Sequence, residues 1–265
     1  MRTFVLFFVM STILFSCKNE SSTDNNEADT TTSTENPDTK YTLTPFNTSP
    51  EYPDAKIDFI SYLDGNFTFG VTGDSYQLGA QTSDAEQKMC ANSAKGQHIH
   101  LIVNNGPYNA RYTSSFSDVA LDEGNHYALA FLSRSYHESI KTKEAYTAQY
   151  LTVTENQARQ FESINDPMLF YSRPKGTYVG EKNTNKVMLD FYVINLELGD
   201  RYKVLADING EVHSIDTWQP YYIEGLPMGK NKIKLTLVDG DGNVVNTPLN
   251  PVEREFELKE DELEN

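Results

Sequence analysis

The 265 residues carry 38 Asp and Glu against 22 Lys and Arg, a net charge of −16 with a pI near 4.7. That balance excludes nucleic acid as a partner, because no basic surface is left to neutralise phosphates. It also disfavours close approach to an anionic lipid surface, and two cysteines are too few for a disulfide scaffold.

The chain opens on Met1-Arg2-Thr3, a short positive stretch, followed by the apolar run Phe4–Phe15. A bilayer-spanning helix takes about 20 residues, so residues 1–16 read as a signal peptide rather than a span. Leu14-Phe15-Ser16-Cys17 resembles the lipobox of bacterial lipoproteins, with Phe15 bulkier than the usual residue of that family. The resemblance implies cleavage before Cys17, a lipid on its thiol and an acylated (palmitate-type) N-terminus. The protein is then membrane-anchored in the bacterial cell envelope, at the periplasmic or surface side of the outer membrane. Each buried CH₂ contributes about 0.8 kcal/mol, so several acyl chains hold durably. With Cys17 lipidated, Cys90 is alone and no internal disulfide forms.

Residues 17–54 are rich in Ser, Thr, Asn, Asp, Glu and Pro, with almost nothing apolar before Tyr41. Such a segment cannot offset its chain entropy by burial and is expected to be a disordered spacer. Asp29-Thr30-Thr31 resembles the tripeptide at which Bacteroidetes glycosylate exported proteins, which implies a glycan on Thr30.

Residues 55–154 form a first module of short alternating runs. Ile57, Phe59 and Ser61 share one face of a strand, and Phe67, Phe69 and Val71 share one face of the next, with Asp64-Gly65-Asn66 turning between them. Residues 80–95, small and polar, read as an inserted loop. The stretch Gly96–Asn109, GQHIHLIVNNGPYN, predicts a strand with two alternating histidines entering an Asn-Asn-Gly-Pro turn. A long apolar strand is expected over His126–Ser133, a solvated loop over residues 134–143, and a closing strand over Tyr146–Val153. Residues 155–166 read as a linker with room for a helical turn.

A second module, residues 167–259, repeats this pattern. Leu189–Val193 answers Phe67–Val71, Tyr202–Gly210 answers His98–Gly106 without a gap, and Ile233, Leu235 and Leu237 answer Ala128, Ala130 and Leu132. Residues 260–265 are an acidic tail. Strands separated by turns, with no long helix, predict an all-β chain of two tandem immunoglobulin-like antiparallel β-sandwiches. The motifs His98-Ile99-His100-Leu101, Asn105-Gly106, Leu226-Pro227-Met228-Gly229 and Leu235-Thr236-Leu237 resemble a family of bacterial extracytoplasmic modules of unknown function, found in Bacteroidetes-type lipoproteins. Some lipoproteins of this build carry a phosphopeptide-binding label, which the resemblance implies as an alternative. The sequence shows no arginine cluster for that chemistry.

His98 and His100 stand two residues apart on a strand, so their rings share a face and can share a metal ion. The gapless match puts them on the face of Tyr202, Val204, Ala206 and Ile208, the expected inner face of the sandwich. A pair satisfied by the protein itself is the plainer alternative. His126, Met89 and Cys90 complete a donor set of a type that suits copper, although adjacent Met89 and Cys90 diverge on an extended chain. Asp239–Asn243, DGDGN, lacks the acidic twelfth residue of a calcium loop, since Asn250 stands there, and reads as a turn. Trp218, Tyr221 and Tyr222 form either an exposed partner surface or a core plug. No Ser-His-Asp set, nucleophile elbow, phosphate loop or dinucleotide fingerprint is present, so an enzyme is not expected. The sequence therefore reads as a non-catalytic binding or adaptor module, lipid-anchored through Cys17, whose partner is an envelope protein or small ligand and which needs no cofactor. The alternative is a copper- or zinc-binding lipoprotein using the His98/His100 strand.

Overall fold

Short alternating runs broken by Gly and Asn turns build seventeen strands in this computed structural model, which describes residues 40–261. The signal peptide, Cys17, Thr30 and residues 262–265 lie outside the described residues. Residues 40–261 belong to one compact unit. The strands are β1 Thr42–Pro45, β2 Lys56–Leu63, β3 Asn66–Thr72, β4 His98–Val103, β5 Asn109–Arg111, β6 Ser115–Phe116, β7 Gly124–Ser133, β8 Tyr146–Thr154 and β9 Gln157–Ser163. They continue as β10 Met168–Arg173, β11 Gly176–Val179, β12 Val187–Ile194, β13 Tyr202–Ile208, β14 Glu211–Ile215, β15 Tyr221–Glu224, β16 Gly229–Asp239 and β17 Val252–Lys259.

In the first half the order β5-β4-β7-β8-β9-β2-β3-β6 is continuous, but β9 meets β2 only at Gln157 and Leu63. The sheet folds over there, because Ile57, Tyr62, Phe67 and Phe69 of β2 and β3 share one core with Ile99, Leu101, Ala128, Ala130, Leu132 and Leu151 of β4, β7 and β8. In the second half, β1-β15-β12-β10 packs on β11-β17-β16-β13-β14. The core between them holds Leu189, Phe191, Val204, Ala206, Leu235 and Leu237. Pairing is antiparallel throughout except between β11 and β17. Within these sheets, β15-β12-β10 facing β14-β13-β16-β17 is the strand order of an immunoglobulin-like sandwich.

The two sandwiches pack face to face. Leu129 and Phe131 of β7, with Ile102 of β4, meet Met168 and Phe170 of β10 and Tyr192 and Ile194 of β12. β12 is therefore covered on both sides, and all eight of its residues, VMLDFYVI, are buried. Asn105 fastens the contact: its Nδ2 donates to the Leu169 carbonyl at 2.8 Å and its Oδ1 accepts from the Tyr171 N–H at 2.8 Å.

Three expectations are corrected. The C-terminal part of the expected spacer is folded: β1 pairs with β15, and Tyr41, Phe46 and Tyr52 are buried. Three aromatics in a polar stretch supply the apolar area that average composition hides. Residues 155–166 are mostly strand β9, entered through a tight turn in which Glu155 and Asn156 have φ of +53° and +59°, the two-residue geometry that joins hairpin strands. The histidine face is not the inner face of its own sandwich. Asn104 and Asn209 are the matching residues, since each accepts at Oδ1 from the next strand, from Tyr127 N–H at 2.9 Å and Lys232 N–H at 2.8 Å. The gapless match was out by one residue, and one residue along a strand changes the face. His98 and His100 correspond to Lys203 and Leu205 on the outer face, and are buried because the second sandwich covers it.

Candidate metal centre

The approach to β4 is set by Gly96. Its φ is +83°, and a Cβ there would stand 2.2 Å from the Gly79 carbonyl oxygen, so only glycine fits the crossing. The Gly96 carbonyl lies 2.7 Å from Nδ1 of His98. A carbonyl only accepts, so Nδ1 carries the proton and Nε2 presents a lone pair. Nε2 of His100 lies 2.9 Å from that lone pair. The third corner is His137, whose Nδ1 is 3.0 Å from Nε2 of His98 and 3.3 Å from Nε2 of His100. Among the described residues no carboxylate or thiol joins the group.

His137 sits in the loop between β7 and β8. Its N–H donates to the Arg134 carbonyl at 2.9 Å, and its φ of +69° is one that few non-glycine residues adopt. The second sandwich holds this loop. Nη1 of Arg173 donates to the Tyr136 carbonyl at 3.2 Å, the Ser139 N–H donates to Asp190 at 3.0 Å, and the Tyr192 hydroxyl donates to the Ile140 carbonyl at 2.7 Å. The expectation of a solvated loop at 134–143 is thus overturned: Ser135, Tyr136, Ser139 and Ile140 are buried, because the second sandwich lies over them.

Burial pushes the His98 imidazole down to about 4, with Arg173 adding to the shift against the Gly96 hydrogen bond. Burial likewise holds His100 and His137 well below the usual histidine range, aided by the neighbouring rings and by Arg173 and Lys175. All three rings are neutral at pH 7. No placement of protons then satisfies the three contacts. One proton shared from His100 or His137 leaves two lone pairs facing each other, and protons on both leave two N–H groups facing each other. A single ion accepts all three lone pairs. Three nitrogens each about 2.0–2.1 Å from a tetrahedral ion lie roughly 3.3 Å apart, close to the separations here. Tyr108 stacks on His100 with ring centroids 3.8 Å apart and planes 7° from parallel. That ring, rather than a hydrogen bond, orients His100, whose Nδ1 is buried without a partner.

The other residues singled out in the sequence fall elsewhere. His126 is satisfied locally, with Nε2 2.8 Å from the Asp122 carbonyl and Nδ1 3.0 Å from the Asn104 amide. Met89 is exposed, whereas Cys90 is buried with Phe46, Tyr136, Met188 and Tyr222. The candidate partner surface is not a surface. Tyr221 and Tyr222 are buried, and Trp218 is half-buried with its indole N–H on the Phe191 carbonyl at 3.0 Å. Asp239–Asn243 forms a turn, its Asp239 carboxylate accepting from the N–H groups of Asp241 and Asn243. His137 falls in the 134–143 loop that the sequence reads as solvated, and it was not expected among the metal donors. Tyr136 and Ile140 beside it, where the second module has only DGDGN, were the available sign of a buried loop.

The chain matches no family model, and no curated protein matches it in sequence. Among solved structures it is similar to the fibronectin(III)-like modules of Clostridium thermocellum CbhA, at 19% identity over 36% of this chain and 100% of that chain, with a TM-score of 0.27. It is similar to the extracellular domain of a putative hybrid two-component system from B. thetaiotaomicron, at 12% identity over 77% of this chain and 38% of that one, with a TM-score of 0.27. It is also similar to the chicken interferon gamma receptor alpha chain, at 8% identity over 77% of this chain and 98% of that chain, with a TM-score of 0.21.

Proposed function

We propose that this is a non-catalytic, lipid-anchored envelope protein that holds one copper or zinc ion between His98, His100 and His137. The observation that carries the reading is the convergence of three neutral imidazole nitrogens within 3.3 Å of one another, an arrangement that protons alone cannot satisfy. The Tyr108 hydroxyl is 3.4 Å from Nδ1 of His137, but burial pushes its pKa up to about 12, so it stays a phenol. The group offers three nitrogen donors, with no carboxylate or thiol among the described residues, a set that binds copper or zinc. Acylation of Cys17 would tether the site to the membrane. The phosphopeptide alternative finds little support, because the buried Arg173 and Arg254 already donate to backbone carbonyls. A small-ligand reading rests on the cleft of about 510 Å³ beside Trp218, Lys141 and Asp216, which holds no comparable convergence of donors.

The test is metal analysis of the full-length chain in detergent, with thermal melts before and after chelation and with copper or zinc added. One ion per chain is expected, with a melting temperature raised by several degrees, and His137→Ala should abolish both. A melt that neither ion shifts, with no metal retained, overturns the reading.

A further inference from the structure

The charges around the three rings bear on which ion they take. Arg173 is 3% exposed, and its guanidinium donates to the carbonyl of Tyr136, the residue before His137. Lys175 places Nζ 3.9 Å from the centroid of the Tyr108 ring, whose other face is covered by His100. No carboxylate pairs with Arg173 or Lys175 among the described residues. The walls are aromatic: Tyr108, Phe131 against His100, and Tyr112 against His98. Two unpaired cations therefore sit on the cluster's immediate neighbours, Arg173 on Tyr136 and Lys175 on Tyr108, in surroundings that screen them poorly, while the carboxylate of Glu138, beside His137 in the chain, is paired with Arg134 at 3.5 Å.

Two costs follow for an entering ion. Repulsion from fixed cations scales with its charge, and loss of hydration scales with the square of its charge. Behind the ligands there is little to offset either. His98 backs onto the neutral Gly96 carbonyl and His100 onto nothing. A divalent ion held by imidazoles is commonly supported by carboxylates in this position. Imidazole accepts copper as well as zinc, so the donors do not discriminate and the charge does. Resting on the metal reading above, we infer that the His98–His100–His137 site selects monovalent copper over divalent zinc, with Arg173 and Lys175 as the residues that set the preference.

The test is a competition titration of the full-length chain, in anaerobic buffer with a chromophoric Cu(I) chelator and in parallel with Zn(II). It is run on the wild type, His137→Ala, Lys175→Met and Lys175→Arg. Cu(I) should bind in a His137-dependent manner and zinc should not displace it. Because the repulsion scales with ionic charge, a gain of n-fold in Cu(I) affinity from Lys175→Met should appear as about n²-fold for zinc. Lys175→Arg keeps the charge and should leave the ratio unchanged, which separates charge from damage to the fold. Zinc that binds through His137 and outcompetes Cu(I), or equal gains for both ions in Lys175→Met, overturns this inference and leaves the metal site standing. Binding of neither ion overturns both.

Discussion

At His137 a non-glycine residue holds a left-handed backbone so that one ring nitrogen can meet two others. Strain of this kind is retained where the surroundings enforce it, and it tends to mark function. His137→Gly should therefore split two properties. The chelated variant should melt at or slightly above the wild type, because glycine adopts this φ freely. Added metal should no longer raise its melting temperature. A large loss of stability in the chelated form would make His137 a packing residue instead. Cys90 gives a second check at this scale. It is 4% exposed, and burial pushes its thiol up to about 11. At pH 8 the thiolate is then about one part in a thousand, rising tenfold per pH unit up to the pKa. Peptide mapping after iodoacetamide should find Cys90 unmodified in the native chain at pH 8 and fully modified in urea.

Strand β1 shows how an element can hide in a polar stretch. Its four residues pair with β15, and Phe46 just beyond it packs on Tyr222 with ring centroids 4.5 Å apart and on Tyr136 at 6.1 Å. Phe46→Ala should cost about 3 kcal/mol, as for other buried phenylalanines, and lower the urea midpoint without changing the slope. A change within about 0.5 kcal/mol would return this stretch to the spacer. The main strands were legible because alternation survives in them: Phe67, Phe69, Ile233, Leu235 and Leu237 point inward as their spacing implies. The histidine face was not, because the match between His98–Gly106 and Tyr202–Gly210 was fixed by composition rather than by the two turn asparagines. Choosing Asn104 and Asn209 as the anchor would have placed the rings outward. The strands β10 and β12, with apolar residues on both faces, would then have shown that something covers them. What the sequence could not supply was the meeting of His137 with the pair. His137 lies 37 residues from His100 and reaches it only because a second sandwich presses its loop down.

At the scale of the molecule, the metal centre depends on how the two sandwiches are joined. The contact is apolar at its middle, where Phe131 and Tyr192 stack at 4.9 Å, and it holds one ion pair, Lys141 to Asp190 at 2.6 Å, with the aspartate side chain fully buried. An interface built like a core should melt with the cores. The single tryptophan reports on it, because Trp218 packs edge-on against Tyr192 and lies 5.4 Å from Nζ of Lys141. Guanidinium unfolding followed by Trp218 fluorescence and by far-UV circular dichroism should therefore give one shared midpoint. Asp190→Ala leaves Lys141 and the Ser139 N–H without their partner and should cost about 3 kcal/mol of stability, moving that midpoint to lower denaturant with both probes still together. If fluorescence changes at lower denaturant than the dichroism, the sandwiches separate before they unfold. The loop carrying His137 would then be released first, and metal would be lost in the early phase. If the two curves coincide, holding the ion and holding the sandwiches together are one property of the fold.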